Sequence, residues 1–367
     1  MTMAEDVQVL EADEDLPARP RRSRTRQIIQ SVISAVLVVF IFGYVLPKVA
    51  DFSEVWRAIR DMTPGEDVTL IVAAAWNLMT YWFVWMAVLP GLPLKQAAVS
   101  TEASTAVANT VPAGSYLAVA LNYTMIHSWG FRRSIVTLAL LISGVWNNFA
   151  KLALPVIALV ALALGGQVTA ARVLAATMGI AALVGSLVLF AYALRSERAA
   201  ARLGNAAAAA AGLPMRLLKK PEPTGWDIAV SRFREKTIDL LRARWWMISL
   251  ATLVGHLSLY LVLLLALRDV GVSNQEVNWA EILAVFSFSR LITAIPLTPG
   301  GLGVMELALT TGLVAAGGDR PEVVAAVLVY RFLTYVVPIP IGVGCYFFWR
   351  ANTSWRRAPV PAAAAAI

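Results

Sequence analysis

Six stretches of the chain, near residues 28–47, 68–89, 134–164, 171–194, 245–267 and 321–349, carry enough consecutive apolar residues to cross a lipid bilayer. Crossing about 30 Å of hydrocarbon takes roughly 20 helical residues. In lipid every backbone N–H and C=O must be paired within the protein, and runs of this length answer that demand as helices. Composition agrees, with 59% of the 367 residues hydrophobic, 15% charged and a mean hydropathy of +0.68. Soluble chains carry about 45–50% apolar and about 25% charged residues, more polar surface than this sequence supplies. The predicted fold class is an all-α polytopic membrane protein.

Two further apolar regions break the pattern. Residues 97–128 and 279–317 are too long for one straight helix and too short for two full crossings. Each is interrupted near its middle, by Pro112-Ala-Gly114 and by Pro296-Leu-Thr-Pro-Gly-Gly-Leu-Gly303. Proline removes a backbone donor and clashes with the preceding turn, so broken backbone persists at membrane depth only inside protein or beside a wet cavity. Both regions are predicted to be re-entrant hairpins of two half-helices, beside six full spans.

The positive charges test this layout. With residues 1–27 as a disordered cytoplasmic tail and both hairpins returning to the side they entered from, the inside segments are 1–27, 90–96, 129–133, 195–244 and 350–367. These hold 22 of the 31 Lys and Arg residues, and the outside segments hold five. The positive-inside rule is then satisfied along the whole chain; one odd crossing by either hairpin would turn the later basic segments outward. Both termini are expected in the cytoplasm of a bacterial inner membrane. The first apolar run begins late and lacks a small-x-small cleavage site, so an uncleaved anchor is expected. In the loop 195–244, Trp226 to Arg244 alternates apolar and basic residues. It reads either as an amphipathic helix on the inner leaflet, anchored by Trp245 and Trp246, or as a solvated linker.

Orientation also suggests an internal repeat. The span 68–89, hairpin 97–128 and span 134–164 form one triplet (68–164), and the span 245–267, hairpin 279–317 and span 321–349 form a second (245–349) of opposite topology. Asn148-Phe-Ala-Lys-Leu-Ala-Leu-Pro155 aligns with Arg331-Phe-Leu-Thr-Tyr-Val-Val-Pro338 at the Phe and Pro positions. Inverted repeats with a broken helix in each half are the architecture of transporters that bind cargo near the midplane.

Charges inside spans cost about 2.5–3.5 kcal/mol each on insertion scales and mark candidate sites. Here they are Glu102, Lys151, Arg290, Glu306 and Arg331, with Asn109, Asn147 and Asn148 as uncharged polar neighbours. The competing structural reading is mutual ion pairing, for instance Glu306 with Arg331; for Lys151 and Glu102 it is snorkelling to a helix end. His256 reads as an interhelical hydrogen-bonder and His127 as an interfacial residue. Two isolated histidines and one cysteine, Cys345, offer no metal cluster and no disulfide framework, so no metal or cofactor is expected. Nucleic acid is a poor fit as a partner.

The most informative segment is Pro299-Gly300-Gly301-Leu-Gly303-Val-Met-Glu306. Its glycines admit close approach to the backbone, and the half-helix that follows presents N–H groups and a positive dipole end. The predicted arrangement seats a phosphate at the Gly300 end with Arg290 and Arg331, and an amine at Glu306. No Lys-Ser/Thr follows the glycines, so they are not a nucleotide loop.

These residues, together with Tyr330-Arg331, Pro338 and Asn109-Thr-Val-Pro-Ala-Gly114, resemble the lysylphosphatidylglycerol synthase transmembrane family of flippase-like proteins over roughly residues 28–350. The resemblance implies movement of a lipid between leaflets. Two departures qualify it. No aminoacyl-transfer domain follows residue 350, so lipid synthesis is not expected of this chain, and the first hairpin reads Pro-Ala-Gly-Ser-Tyr where many relatives carry an Arg and a Gly-Glu pair. The expected function is a non-enzymatic flippase for a phosphate-containing lipid, aminoacylated or polyprenyl-linked. The alternatives are an embedded enzyme with Glu306 or Glu102 as base, or an accessory subunit of a separately encoded lipid-modifying enzyme.

Overall fold

The computed structural model describes residues 57, 60–110, 114–166, 169–196, 198–199, 202, 226–292, 298 and 301–357. The chain order is α1 (Pro64–Val88), α2 (Leu94–Thr110), α3 (Gly114–Ser128), α4 (Arg133–Leu164), α5 (Ala170–Arg195), α6 (Trp226–Asp269), α7 (Trp279–Ile292), α8 (Val304–Ala315), α9 (Arg320–Arg331) and α10 (Pro338–Ala351). A π-helical turn, Phe332–Val336, joins the last two. No strand occurs among the described residues.

Among the described residues five helical stretches are long and apolar enough to cross a membrane: Pro64–Val88, Arg133–Leu164, Val173–Arg195, Arg234–Asp269 and Arg320–Ala351. They coincide with five of the six predicted spans. The sixth, 28–47, lies outside the described residues, as do the tails 1–27 and 358–367. Val72, Leu174, Met178, Val188 and Phe347 are each more than half exposed on these helices. In a bilayer that surface faces hydrocarbon and needs no further cover.

The two interrupted regions form pairs of short helices, α2 with α3 and α7 with α8, each pair packed together. Their lengths are 17, 15, 14 and 12 residues. At about 1.5 Å per residue none reaches across about 30 Å of hydrocarbon. The arms approach closely: a Cβ on Gly114 would lie 2.3 Å from the Val107 carbonyl oxygen, and one on Gly312 would lie 2.5 Å from Val285 Cγ1. Asn122 Nδ2 also donates to Ser104 Oγ at 2.9 Å across the first pair.

Packing exchanges the two halves. α1 runs along α6, α2 packs on α10, and α7 packs on α4. Each short-helix pair therefore leans on the long span that follows the other pair. The α1–α6 contact is sewn by buried polar groups, with Asn77 Nδ2 donating to Ser258 Oγ at 2.8 Å and Thr80 Oγ1 lying 3.3 Å from the same hydroxyl. Small residues and hydroxyls suit such seams because they admit close backbones and satisfy one another away from water.

The basic segment 226–244 does not turn along a leaflet surface. It continues without interruption into the span as α6, 44 residues long. Its cations explain the continuity: Arg234 Nε donates to the Leu194 carbonyl at 2.9 Å and Arg244 Nη1 to the Met86 carbonyl at 3.3 Å. Both acceptors lie in the last turns of α5 and α1, where carbonyls lack helical partners and favour positive charge.

In the last span the widened turn has a covalent cause. Pro338 has no N–H to give and its ring crowds the carbonyl four residues back, while Val337 N reaches the Phe332 carbonyl at 2.9 Å, five residues back. Beyond this kink Gly342 meets α2 so closely that a Cβ would stand 2.1 Å from the Glu102 carbonyl oxygen and 2.6 Å from Ala106 Cβ. Neither neighbour can swing away. Gly342→Val is expected to destabilise the protein by about 3 kcal/mol through overpacking, seen as a lowered midpoint of thermal unfolding in detergent, whereas Gly344→Val, which faces open space, is expected to leave it nearly unchanged.

Candidate functional site

The exchanged packing leaves a cavity of about 530 Å³ enclosed by both short-helix pairs and by α1, α4, α6 and the kinked last span. Its wall gathers Glu102, Asn109, Lys151, Arg290, Gly301 and Arg331 from the residues that the sequence singled out. Asn77, Tyr81, Thr101, Thr105, Asn147, Tyr330 and Tyr335 complete the polar lining. Asn148 does not belong: it is exposed on the outer face of α4, and its neighbour Asn147 lines the cavity instead. One residue along a helix turns a side chain by about 100°, so the choice between adjacent asparagines rests on phase. Pro299 and Gly300 lie outside the described residues.

Glu306 is committed to structure. It is 1% exposed, one carboxylate oxygen accepts the Gly303 N–H at 2.6 Å, and the other accepts Arg331 Nε at 2.6 Å. Gly303 precedes α8 with φ of +83°, a conformation that L side chains seldom adopt. The carboxylate thus caps its own helix, as an N3 acid does in a capping box. Of the predicted phosphate seat, the Gly303 N–H is thus held within the protein, while Gly300 lies outside the described residues. An amide is already taken, a negative charge stands at the dipole end, and the predicted amine site at Glu306 is filled by Arg331.

Arg331 belongs to two environments. Its guanidinium carbon lies 4.4 Å above the Tyr335 ring, and both residues also line an apolar groove of about 840 Å³ with Leu70, Ile71, Leu328, Phe332, Leu333 and Val336. Asn109 and Tyr335 lock the first short-helix pair to the π turn: Asn109 Nδ2 donates to the Tyr335 carbonyl at 3.0 Å, and the Tyr335 hydroxyl donates to the Asn109 carbonyl. Polar cavity and apolar groove meet at Arg331 and Tyr335.

The remaining charges face the cavity differently. Arg290 Nη2 stands 3.5 Å from His256 Nδ1, and His256 Nε2 lies 3.1 Å from Asn147 Oδ1. A single tautomer, with the proton on Nε2, serves both contacts, so His256 is the interhelical hydrogen-bonder expected of it. Glu102, 2% exposed, accepts Trp82 Nε1 at 2.7 Å on one oxygen. It and Lys151 both line the cavity interior. Among the described residues no group of three His, Cys, Asp or Glu could hold a metal ion.

Residues 27–342 match the family described as lysylphosphatidylglycerol synthase TM region. The chain belongs to that family. Every described residue of the cavity and the groove falls inside the match. Among curated proteins it is similar to the inner membrane protein YbhN of Escherichia coli, 30% identical over 90 residues, which are 24% of this chain and 28% of that protein. It is also similar to the UPF0104 membrane protein MJ1078 of Methanocaldococcus jannaschii, 36% identical over 79 residues, or 21% of this chain and 34% of that one. The matches thus span about a quarter to a third of these relatives. This lysylphosphatidylglycerol synthase TM-region protein is a multi-pass membrane protein whose spans converge on a charged interior.

The role of Glu306 is testable apart from transport. Glu306→Ala leaves a buried guanidinium beside an uncapped helix, and Arg331→Ala leaves a buried carboxylate; removal of one partner from such a pair costs about 3–5 kcal/mol. Either variant is expected to lower the thermal unfolding midpoint in detergent sharply, and the double variant Glu306→Gln/Arg331→Met to recover part of the loss.

Proposed function

We propose that this protein carries a phosphate-containing lipid between the leaflets of a bacterial inner membrane, without changing it chemically. One observation carries the reading: a cavity among membrane-crossing helices is lined by Lys151, Arg290 and Arg331, and an apolar groove opens beside it at Arg331 and Tyr335. An amphiphile has these two halves. A headgroup phosphate meets Lys151 and Arg290, and a chain lies along the groove and the surrounding hydrocarbon.

The energetic problem of such movement is the headgroup, since a charged group in hydrocarbon loses its hydration. Fixed cations and amide groups replace that hydration at mid-path. Broken helices suit the task because re-entrant short pairs bring polar backbone into the bilayer without exposing it to lipid. The exchanged packing, with α2 on α10 and α7 on α4, supports an inverted pair of repeats, 68–164 and 245–349, hinged about the α1–α6 seam. Rocking one unit against the other would open the cavity to alternate sides.

With Glu306 and Arg331 assigned to structure, Arg290 and Lys151 are the residues to test. Arg290→Gln and Lys151→Gln, reconstituted in vesicles with a labelled phospholipid, are expected to slow inter-leaflet transfer about tenfold or more, on the scale of a lost charge-assisted hydrogen bond. Unfolding midpoints should stay near the parent value. Undiminished transfer in both variants, or a chemically altered lipid in mass spectra of the extract, would count against the proposal.

A further inference from the structure

The two carboxylates of the broken regions, Glu306 and Glu102, stand in opposite situations. Glu306 has both oxygens occupied. Glu102 is 2% exposed; its Oε1 accepts the Trp82 indole N–H at 2.7 Å, and its Oε2 is closed to water and has no hydrogen-bond partner. The side chain borders the polar cavity, but the orphan oxygen does not open into it, so a headgroup cannot reach Oε2. A proton needs no such room. An ionised carboxylate with one hydrogen bond and no ion pair is among the costliest groups to bury, and its ordinary relief is neutralisation.

The groups that face Glu102 decide when that proton is needed. α10 presents Cys345, α3 Tyr116 and α1 Tyr81, and thiols and phenols are ordinarily neutral near pH 7. Across the cavity stand Lys151, Arg290 and Arg331. Arg331 is matched by Glu306, and His256 lies behind Arg290, its Nδ1 3.5 Å from Arg290 Nη2. Lys151 and Arg290 thus share an enclosed space with Glu102, which forms no ion pair among the described residues. Without a phosphate, the field of these two cations offsets the negative charge on Glu102. A phosphate that takes up both cations removes that offset and adds a like charge, and both effects favour a neutral carboxyl. The cavity keeps the same net charge in the two states: ionised without the phosphate, protonated with it.

We infer that Glu102 is a proton-binding site and that the carrier moves one proton with each phosphate-bearing lipid. The inference rests on the lipid-carrier reading and deepens it by naming what drives the movement, a proton gradient. The Glu102 carboxylate takes a proton from water on the side where the lipid enters and returns it to water on the side where the lipid leaves. A singly charged lipid then crosses with no net charge. The coupling is reciprocal: if the phosphate favours protonated Glu102, the protonated form binds the phosphate more tightly by the same factor.

Two measurements test it on the full chain. In vesicles with a trace of labelled phosphatidylglycerol and a maintained difference of one pH unit, one proton per lipid sets an equilibrium ratio of about tenfold between the leaflets. The parent protein is expected to approach that ratio, with the label enriched in the leaflet on the more alkaline side and protein-free vesicles giving the background. Glu102→Gln, which keeps an acceptor for Trp82 and takes no proton, is expected to bring the ratio to one. In detergent, calorimetric titration with dihexanoyl phosphatidylglycerol in two buffers of different ionisation enthalpy is expected to show proton uptake on binding by the parent and none by Glu102→Gln. An even distribution produced by a parent that does move the label overturns the coupling and leaves the carrier reading standing. A tenfold ratio or a proton uptake that survives in Glu102→Gln overturns the assignment to Glu102. Should the parent move no lipid while its titration shows an uptake that Glu102→Gln abolishes, the carrier reading fails and the linked proton site stands. The parent readouts are independent of how the variant folds.

Discussion

A single buried carboxylate fixes the geometry on which the rest of this protein depends. Glu306 ties the start of α8 to the end of α9 through two contacts of 2.6 Å. In doing so it sets the second pair of short helices against the kinked span that closes the cavity. In water such a joint would compete with hydration on both sides. Inside a bilayer there is no competing solvent, and the alternative is a lone guanidinium in a low-dielectric medium. The pair is best understood as a fixed corner of the site, with Arg331 presenting its remaining face, stacked on Tyr335, to the place where polar and apolar spaces meet.

Around that corner the packing logic is one of exchange. The first short-helix pair is held by the last span, through Gly342 against the Glu102 backbone and through the reciprocal Asn109–Tyr335 contacts. The second pair is held by α4. Neither half could keep its broken helices buried alone. The cavity exists because four short helices occupy the middle of the bundle, where full-length helices would fill it with side chains.

Much of this was legible in advance. Length and hydropathy located five spans that the described residues contain, and the Pro and Gly interruptions located both pairs of short helices. The cavity face was also written in the chain: Arg331, Thr334, Tyr335 and Pro338 follow the spacing of one helical stripe, as do Thr101, Thr105 and Asn109, and Asn147 with Lys151. Tyr335, Tyr81 and Asn77 carry no formal charge, so helical spacing is the one signal of them in the sequence. The self-capping of Glu306 had a signal as well, a glycine three residues before an acid at a helix start. The pairing of Glu306 with Arg331 was one of two readings that the sequence left open, and no pattern chose between them. Trp82 and Arg331 lie 20 and 25 residues from their carboxylates, and such distances are bridged only by the fold. The unbroken course of α6 was hidden for a related reason, since its basic residues look like a surface segment until their carbonyl partners on α5 and α1 are seen.

That unbroken course has a mechanical consequence. From Trp226 to Arg244 the helix extends about 28 Å beyond the apolar part of the same rod. A tilt of about 10° within the hydrocarbon would sweep its far end through roughly 5 Å. Because Arg234 and Arg244 grip the ends of α5 and α1, the rod cannot lean without pulling on both. The Trp226 end of α6 is thus a lever, and whatever holds it still also stills the helices around the cavity.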